Sequence, residues 1–427
     1  MVVRIVENSP SLCEFLVPLI SDLSRPQRRH LIDLCDGLLV CESEKTLAAL
    51  QRQFLDSVDV SNWADFLRIS PWELNPVRAE LRASQTAFAI AQAEAARSPR
   101  EIFINIDDSL GEKDQGTWRI EPVDWHHDHT NSTPRQQRYK NSFCFLVCTL
   151  RVGDVVVTTE VQLYLRARTV RSINRQRAPN DRISFRSKNS IAREMLAQLE
   201  PLLPAGWEVI VQFDSWYASA KLQKFILRRS WNFTCAVKSN RLLNGTPLSN
   251  HARLLWHKRY ERISTTAAGG NSTTYDIREV EGRLSELPTN VRVFISQRHQ
   301  GQKSPAFFAT TRLGCKTQWV LQGYTGRWSC EVVNFYLKTQ LGLADFRVRS
   351  YEACDKYVVA VHLAWAYVER RFVLERCAQV KTYGDLIRRH RDEHAAATLK
   401  SALTMMQTGA SMNEVVARFI RQEQATA

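Results

Sequence analysis

Four side chains between positions 324 and 338 carry the most chemistry in this 427-residue chain. Tyr324, Arg327, Glu331 and Lys338 recur at helical spacing, and at about 100° per residue all four fall within about 60° of one another. On one continuous helix a phenol, a guanidinium, a carboxylate and an ammonium would share a stripe. The intervening Val332, Val333, Phe335 and Leu337 would pack into a core. A single acid among bases suits a polyanion held at a metal. Two more acids follow apolar runs: Asp107, with Asp108 beside it, after Ile102–Ile106, and Asp214 after Trp207–Phe213. Alone, an acid at the end of a strand is ordinarily a turn or capping residue. Strand tips from one sheet and a helix packed on it can instead bring three acids together. Their repulsion then calls for divalent cations such as Mg²⁺, which prefers hard oxygen ligands. Two such ions activate a water or a 3′-hydroxyl and stabilise the leaving oxygen of a phosphodiester.

The elements that must position these groups can be read from periodicity. Residues 10 to about 95 show helical spacing, as in Leu12, Phe15, Leu16, Leu19 and Ile20. Ser24-Arg25-Pro26-Gln27 and Ser70-Pro71-Trp72-Glu73 read as helix starts. Arg25, Arg28, Arg29, Arg52, Arg68, Arg78 and Arg82 are scattered through this part, which reads as a separate helical domain, 1–98. The character then changes to the short strand Ile102–Ile106, a polar loop to about Asn141, and strands Phe143–Leu150 and Val155–Leu165. A basic loop, Arg166–Lys188, leads to a helix Ser190–Leu203, a strand Trp207–Phe213, a helix Tyr217–Arg229 and a strand Trp231–Val237. A Gly-, Asn-, Thr- and Ser-rich stretch, about 239–320, reads as a β-rich insertion with strands at Ser272–Val280, Val291–Ile295 and Ala306–Thr311. The helix Tyr324–Lys338 and an apolar helix Cys354–Leu374 close a domain spanning 99–380. A helical tail, 381–427, follows.

Lys and Arg number 58 against 44 Asp and Glu, a net charge of +14, which favours a polyanionic partner, nucleic acid first. No window approaches the ~18 consecutive apolar residues of a membrane span, and the N-terminus lacks a signal-peptide pattern. The ten cysteines include no CxxC pair, so a reducing cytoplasm is expected and a zinc motif is not.

Taken together, Asp107-Asp108-Ser109, Asp214-Ser215-Trp216-Tyr217 and the run Tyr324-(2)-Arg327-(3)-Glu331-(6)-Lys338 resemble the DDE-class insertion-sequence transposases that carry a YREK signature. The resemblance covers roughly residues 100 to 375. It implies an α/β, ribonuclease H-like mixed sheet flanked by helices, with a β-rich insertion and an N-terminal helical domain. It implies that Asp107, Asp214 and Glu331 coordinate two Mg²⁺ ions, with Mn²⁺ able to substitute. Tyr324, Arg327 and Lys338 would contact DNA phosphate. Asp107 is preferred over Asp108 because Asp107-x-Ser109 matches the family's Asp-x-Ser/Thr pattern, and alternation along a strand lets only one of the two face the site. The implied activity is cleavage at transposon ends followed by transesterification of the freed 3′-hydroxyl into target DNA. The implied partners are terminal inverted repeats, target DNA and a second copy of the chain on DNA, within the bacterial nucleoid. A metal-dependent nuclease of the same fold that cuts without joining, and an inactive DNA-binding relative, are the other readings.

Further candidates lie outside the motif. Lys188, after a basic loop, is either a phosphate contact or part of a solvated face. Trp256 in the insertion could stack on a flipped base, as an insertion tryptophan does in the family, or pack ordinarily. Trp216, Tyr217 and Trp328 are expected to pack around the acids. His126-His127-Asp128-His129 is too local to present ligands tetrahedrally, and reads as a solvated or DNA-facing loop.

Overall fold

The structure, a computed structural model, describes residues 4–56, 59–128, 131–133, 135–266, 272–299 and 304–419. Five helices open the chain: α1 (Pro10–Leu19), α2 (Arg25–Val40), α3 (Leu47–Gln51), α4 (Val60–Arg68) and α5 (Leu74–Ala95). The Ser24 start holds, with Gln27 Oε1 accepting the Ser24 N–H at 2.9 Å. The second start shifts to Leu74, because Trp72 stacks on Phe66 with ring centroids 5.2 Å apart and holds Ser70–Trp72 out of the helix.

Four strands follow: β1 (Glu101–Glu112), β2 (Asp124–His127), β3 (Tyr139–Val152) and β4 (Val155–Tyr164). Then come α6 (Ala167–Asn174), α7 (Lys188–Leu199), β5 (Glu208–Phe213), α8 (Ala220–Leu227) and β6 (Asn232–Ala236). The insertion contains the short β7 (Leu242–Leu243) and β8 (Thr246–Pro247), then α9 (Leu248–Leu254). Its longer strands are β9 (Glu261–Thr266), β10 (Ser272–Gly282), β11 (Val291–Arg298) and β12 (Ala306–Thr310). The chain then forms α10 (Thr317–Thr325), a 3₁₀ turn (Gly326–Trp328), α11 (Ser329–Thr339), α12 (Tyr351–Glu375), α13 (Tyr383–Gln407) and α14 (Met412–Phe419).

The main sheet has ten strands in the order β2-β3-β1-β5-β6-β12-β11-β10-β9, with β4 also on β3. Within it, β4-β3-β1-β5-β6 combines antiparallel β4, β3 and β1 with parallel β5 and β6. This is a ribonuclease H-like α/β arrangement, flanked by helices and followed by an all-helical C-terminal region. The insertion is not a detached lobe: β12 pairs antiparallel with β6, so its strands continue the same sheet.

One face of the sheet buries Phe145, Val147, Val161 and Leu163 against α1, α2, α11 and α12. The other buries Ile102, Ile104, Ile106, Leu146 and Cys148 against α7 and α8. The change of element type near residue 98 is real, but it marks no gap in the core. Buried pairs cross it: Arg78 to Asp355 at 2.7 Å, Arg82 to Glu160 at 2.5 Å and Gln85 to Glu369 at 3.1 Å. Arg78 and Arg82 are thus core residues, whereas Arg25, Arg29, Arg52 and Arg68 are exposed. The outer edge of β4 is covered as well, since Glu369 of α12 accepts the Thr158 N–H at 2.8 Å.

The structure differs from the sequence reading at two places that matter for the site. β1 runs through Asp107 and Asp108 to Glu112, because β3 pairs with it along that length. The acids therefore sit within a strand and not at its tip. The expected helix Tyr324–Lys338 is also broken, by the turn at Gly326–Trp328.

Candidate active site

Alternation along β1 sends Phe103, Asn105, Asp107 and Ser109 to one face, opposite the face buried on α7 and α8. The parallel pairing of β1 with β5 ends at Ile106 and Phe213. Asp107 and Asp214 are the next residues on each strand, so they stand side by side where the two strands part.

The segment from α10 to α11 covers this face, and polar contacts fix it there. Asn105 Nδ2 donates to Thr149 Oγ1 at 3.0 Å and to Ser329 Oγ at 3.3 Å. Arg327 Nη1 donates to Asp107 Oδ2 at 2.6 Å, and Lys338 Nζ to Ser109 Oγ at 3.0 Å. Glu331 lies in the first turn of α11, between those two contacts. The 3₁₀ turn explains how Arg327 reaches β1. Gly326 sits against Arg151, where a Cβ would come 2.8 Å from the guanidinium, and the tightened turn redirects the next side chain.

The electrostatics record the convergence of the acids. Burial raises the Asp107 pKa; Arg327 opposes the shift, while Glu331, Asp214 and Asp108 add to it, and the group ends at about 7. Asp214 is oriented by its own turn, with Oδ1 accepting the N–H groups of Trp216 at 2.9 Å and Tyr217 at 3.2 Å. Burial holds the Lys338 ammonium below the ordinary lysine range, against the pull of Glu331. Among the described residues, the ligand atoms of the three acids do not all lie within 4.8 Å of one another. A set of hard oxygens with one carboxyl held near neutrality fits a divalent cation, whose charge would ionise Asp107 outright.

Tyr324 faces inward. Its ring lies 4.8 Å from Phe308 and 5.5 Å from the Arg327 guanidinium, and burial pushes its hydroxyl up to about 12. Asp108 points away from Asp107. Its carboxylate accepts from Lys188 Nζ at 2.6 Å and from the Tyr217 hydroxyl at 2.8 Å. Lys188 is therefore neither a solvated cation nor a free one. It sits in an ion pair, with the Trp216 ring 5.0 Å away. Much of the preceding basic loop is paired too, Arg168 with Asp124, Arg177 with Glu352 and Arg186 with Glu194.

Trp256 lies in the insertion, 47% exposed, with the Arg278 guanidinium 5.3 Å from its ring and 5.2 Å from the Tyr260 ring. No contact places it at the acids. In the histidine run, His126 and His127 lie in β2 and not in a loop, so they point to opposite faces. His126 is buried, which brings it down to about 4, and His129 is outside the described residues. Sequence reasoning missed Asn105, Thr149 and Ser329, the polar pins beneath α11. It also missed the partnership of Asp108 with Tyr217, because such contacts depend on register between distant strands.

A family model described as DDE superfamily endonuclease matches residues 18–273. Another, described as transposase DDE domain, matches residues 184–367. The matched region thus reaches from α1 into α12 and includes most of the N-terminal helices. A search of curated proteins finds no match.

Proposed function

Because the chain belongs to the DDE superfamily of endonucleases, we propose that it is a DNA transposase that cleaves the ends of a mobile element and joins the freed 3′-hydroxyl to target DNA. The observation that carries this reading is the gathering of Asp107, Asp214 and Glu331 on one face of the sheet, with Arg327 and Lys338 beside them.

Asp107, Asp214 and Glu331 would hold two Mg²⁺ ions, for which Mn²⁺ would substitute. When bound, the ions supply an activated water or 3′-hydroxyl and offset charge at the leaving oxygen. The chain's own side chains position the strand. Arg327, released from Asp107, grips a phosphate through its planar fork, and Lys338 holds another as a point charge. Tyr324 backs Arg327 and keeps the guanidinium at the site. No side chain attacks phosphorus, so no covalent protein–DNA intermediate forms. Lys188 orients Asp108 and Tyr217 beneath the acids, and reaches DNA only if that ion pair opens. Trp256 offers a stacking surface at the far end of the sheet. The exposed Arg25, Arg29, Arg52 and Arg68 contact the phosphates of the terminal inverted repeats, and two copies act on paired ends. Among the described residues, no helix is long and apolar enough to cross a membrane. The reaction takes place on nucleoid DNA in the cytoplasm.

The test is cleavage and joining of the element's own ends in Mg²⁺, comparing the intact chain with Glu331→Ala. Undiminished cleavage by the variant removes Glu331 from the mechanism. Pre-cut ends that are bound but never joined to target mark an endonuclease that only cuts.

A further inference from the structure

A second cluster lies away from the catalytic acids and shares no residue with them. His390 and His394 stand one helical turn apart on α13, so their rings share a face. Both rings meet Asp36 of α2: His390 Nε2 lies 2.7 Å and His394 Nε2 2.9 Å from Asp36 Oδ1. The three are 1%, 4% and 0% exposed, in that order. One ligand atom from each lies within 4.8 Å of the other two, the one such triplet among the described residues.

We propose that Asp36, His390 and His394 form a structural site for Zn²⁺ or a similar borderline divalent ion, which clamps the C-terminal helix α13 onto α2. Two imidazole nitrogens and a carboxylate are a donor set suited to zinc, unlike the all-oxygen set at Asp107. With bonds of about 2.0–2.1 Å, ligand atoms in a tetrahedral zinc site stand about 3.3 Å apart. The observed separations need to open by roughly half an ångström, a side-chain adjustment.

The second nitrogen of His390 separates a metal site from a simple hydrogen-bonded cluster. When Nε2–H donates to Asp36, the buried Nδ1 is an acceptor without a donor. Glu393 Oε2 lies 4.0 Å from it, an acceptor facing an acceptor. With Nε2 on a metal, the proton moves to Nδ1 and points toward Glu393, the outer carboxylate that metal-bound histidines ordinarily have. The other Asp36 oxygen already accepts the Ser9 N–H at 2.9 Å, which fixes the carboxylate's orientation. A fourth position falls to water.

The experiment uses the full chain carrying Asp107→Asn, Asp214→Asn and Glu331→Gln, which empties the catalytic face of its ligands. Zn²⁺ is titrated in competition with a chromophoric chelator, and Co²⁺ is added separately for its visible spectrum. One equivalent of tightly held Zn²⁺, and the intense bands of four-coordinate Co²⁺, are expected. Adding His390→Gln and His394→Gln should weaken Zn²⁺ binding by at least about 100-fold while the far-ultraviolet circular dichroism is retained. If the histidine variant does not fold, the Co²⁺ spectrum of the folded parent decides the matter, since no other described triplet supplies imidazole nitrogen. No stoichiometric Zn²⁺, unchanged affinity in the histidine variant, or a six-coordinate aqua Co²⁺ spectrum each overturns the proposal. None of these outcomes bears on the catalytic reading.

Discussion

Replacing Glu160 by Gln should destabilise the whole molecule, because this carboxylate lies where the N-terminal helices meet the sheet. Glu160 is buried on β4. It accepts from Arg82 at 2.5 and 3.2 Å, and the Arg78 guanidinium stands 3.4 Å away. Between charge centres about 4 Å apart, at an effective dielectric near 20, each attraction is worth about 4 kcal/mol. Desolvation offsets most of that in the intact cluster. Removing one partner leaves the other buried without compensation, and such breaks cost about 3–5 kcal/mol. Arg78 retains Asp355, so the lower part of that range is expected. Arg82→Met should cost less, about 2 kcal/mol, because Arg78 still faces the carboxylate. A double-mutant cycle should then return a coupling of about 2 kcal/mol. The assay is urea unfolding followed by circular dichroism and by tryptophan fluorescence, which reports on Trp63 in α4 and Trp72 just before α5 as well as on Trp365 in α12. Wild-type transitions should coincide. A loss below about 1 kcal/mol in Glu160→Gln, or N-terminal helices that unfold separately, would refute the continuity of the core.

Other perturbations follow from single contacts. Burial raises Glu369 from 4.5 to about 8, so the stability it contributes is complete below about pH 4.5 and lost as pH rises through 8. Glu369→Gln mimics the protonated form and should be more stable than wild type at pH 9, by roughly 3–5 kcal/mol, yet indistinguishable near pH 4; equal melting temperatures at pH 9 would contradict this. Gly111→Ala places a methyl 2.2 Å from the Phe143 ring on a buried strand face, and should lower stability by about 1–3 kcal/mol in the same unfolding assay. Under the proposed activity, Asp107→Asn should abolish cleavage, while Asp108→Asn should lower it only in part by freeing Lys188; equal loss in both would dissolve the distinction between the two faces of β1. Arg327→Ala should reduce the salt dependence of end binding by about one phosphate contact, measured as the slope of log affinity against log salt.

Several strands were legible because they carry dense apolar runs: Ile102–Ile106 is interrupted only by Asn105 and Val209–Phe213 only by Gln212, and Val291–Ile295 in the insertion is similar. The polar β2 and β9 carry no such run and do not read as strands. Although Asp107 and Asp108 lie within β1 and not at its end, the acids following the apolar runs were legible for the same reason. Three features were not. The break at Gly326–Trp328 falls where Arg151, far upstream, leaves no room for a side chain at Gly326, and helical spacing carries no trace of that. The placement of the N-terminal helices depends on contacts such as Arg78 to Asp355, whose partners are 277 residues apart. Local composition reads residues 1–98 as a separate helical domain from the switch of helix to strand, and carries no sign of these contacts. The pairing of Asp36 with His390 and His394 likewise needs α2 and α13 side by side. The four-residue histidine spacing was the one local sign of it, and its first member, His390, is embedded in the basic run Arg388–Arg391.

The junction of β6 with β12 turns the sheet into a calliper. Arg278, which holds Trp256, lies on β10, four strand spacings from the Asp214 end of β5. At about 4.8 Å per spacing that is a stride of about 19 Å, or about five to six nucleotides at 3.4 Å each. A lobe on a loose tether would sample many separations. Hydrogen-bonded strands allow essentially one, so under the proposed activity the distance from Arg278, the anchor of Trp256, to a phosphodiester at the acids would be set by backbone geometry. Lengthening the loops of the insertion should leave that distance unchanged, whereas adding or deleting a strand would reset it by a whole step.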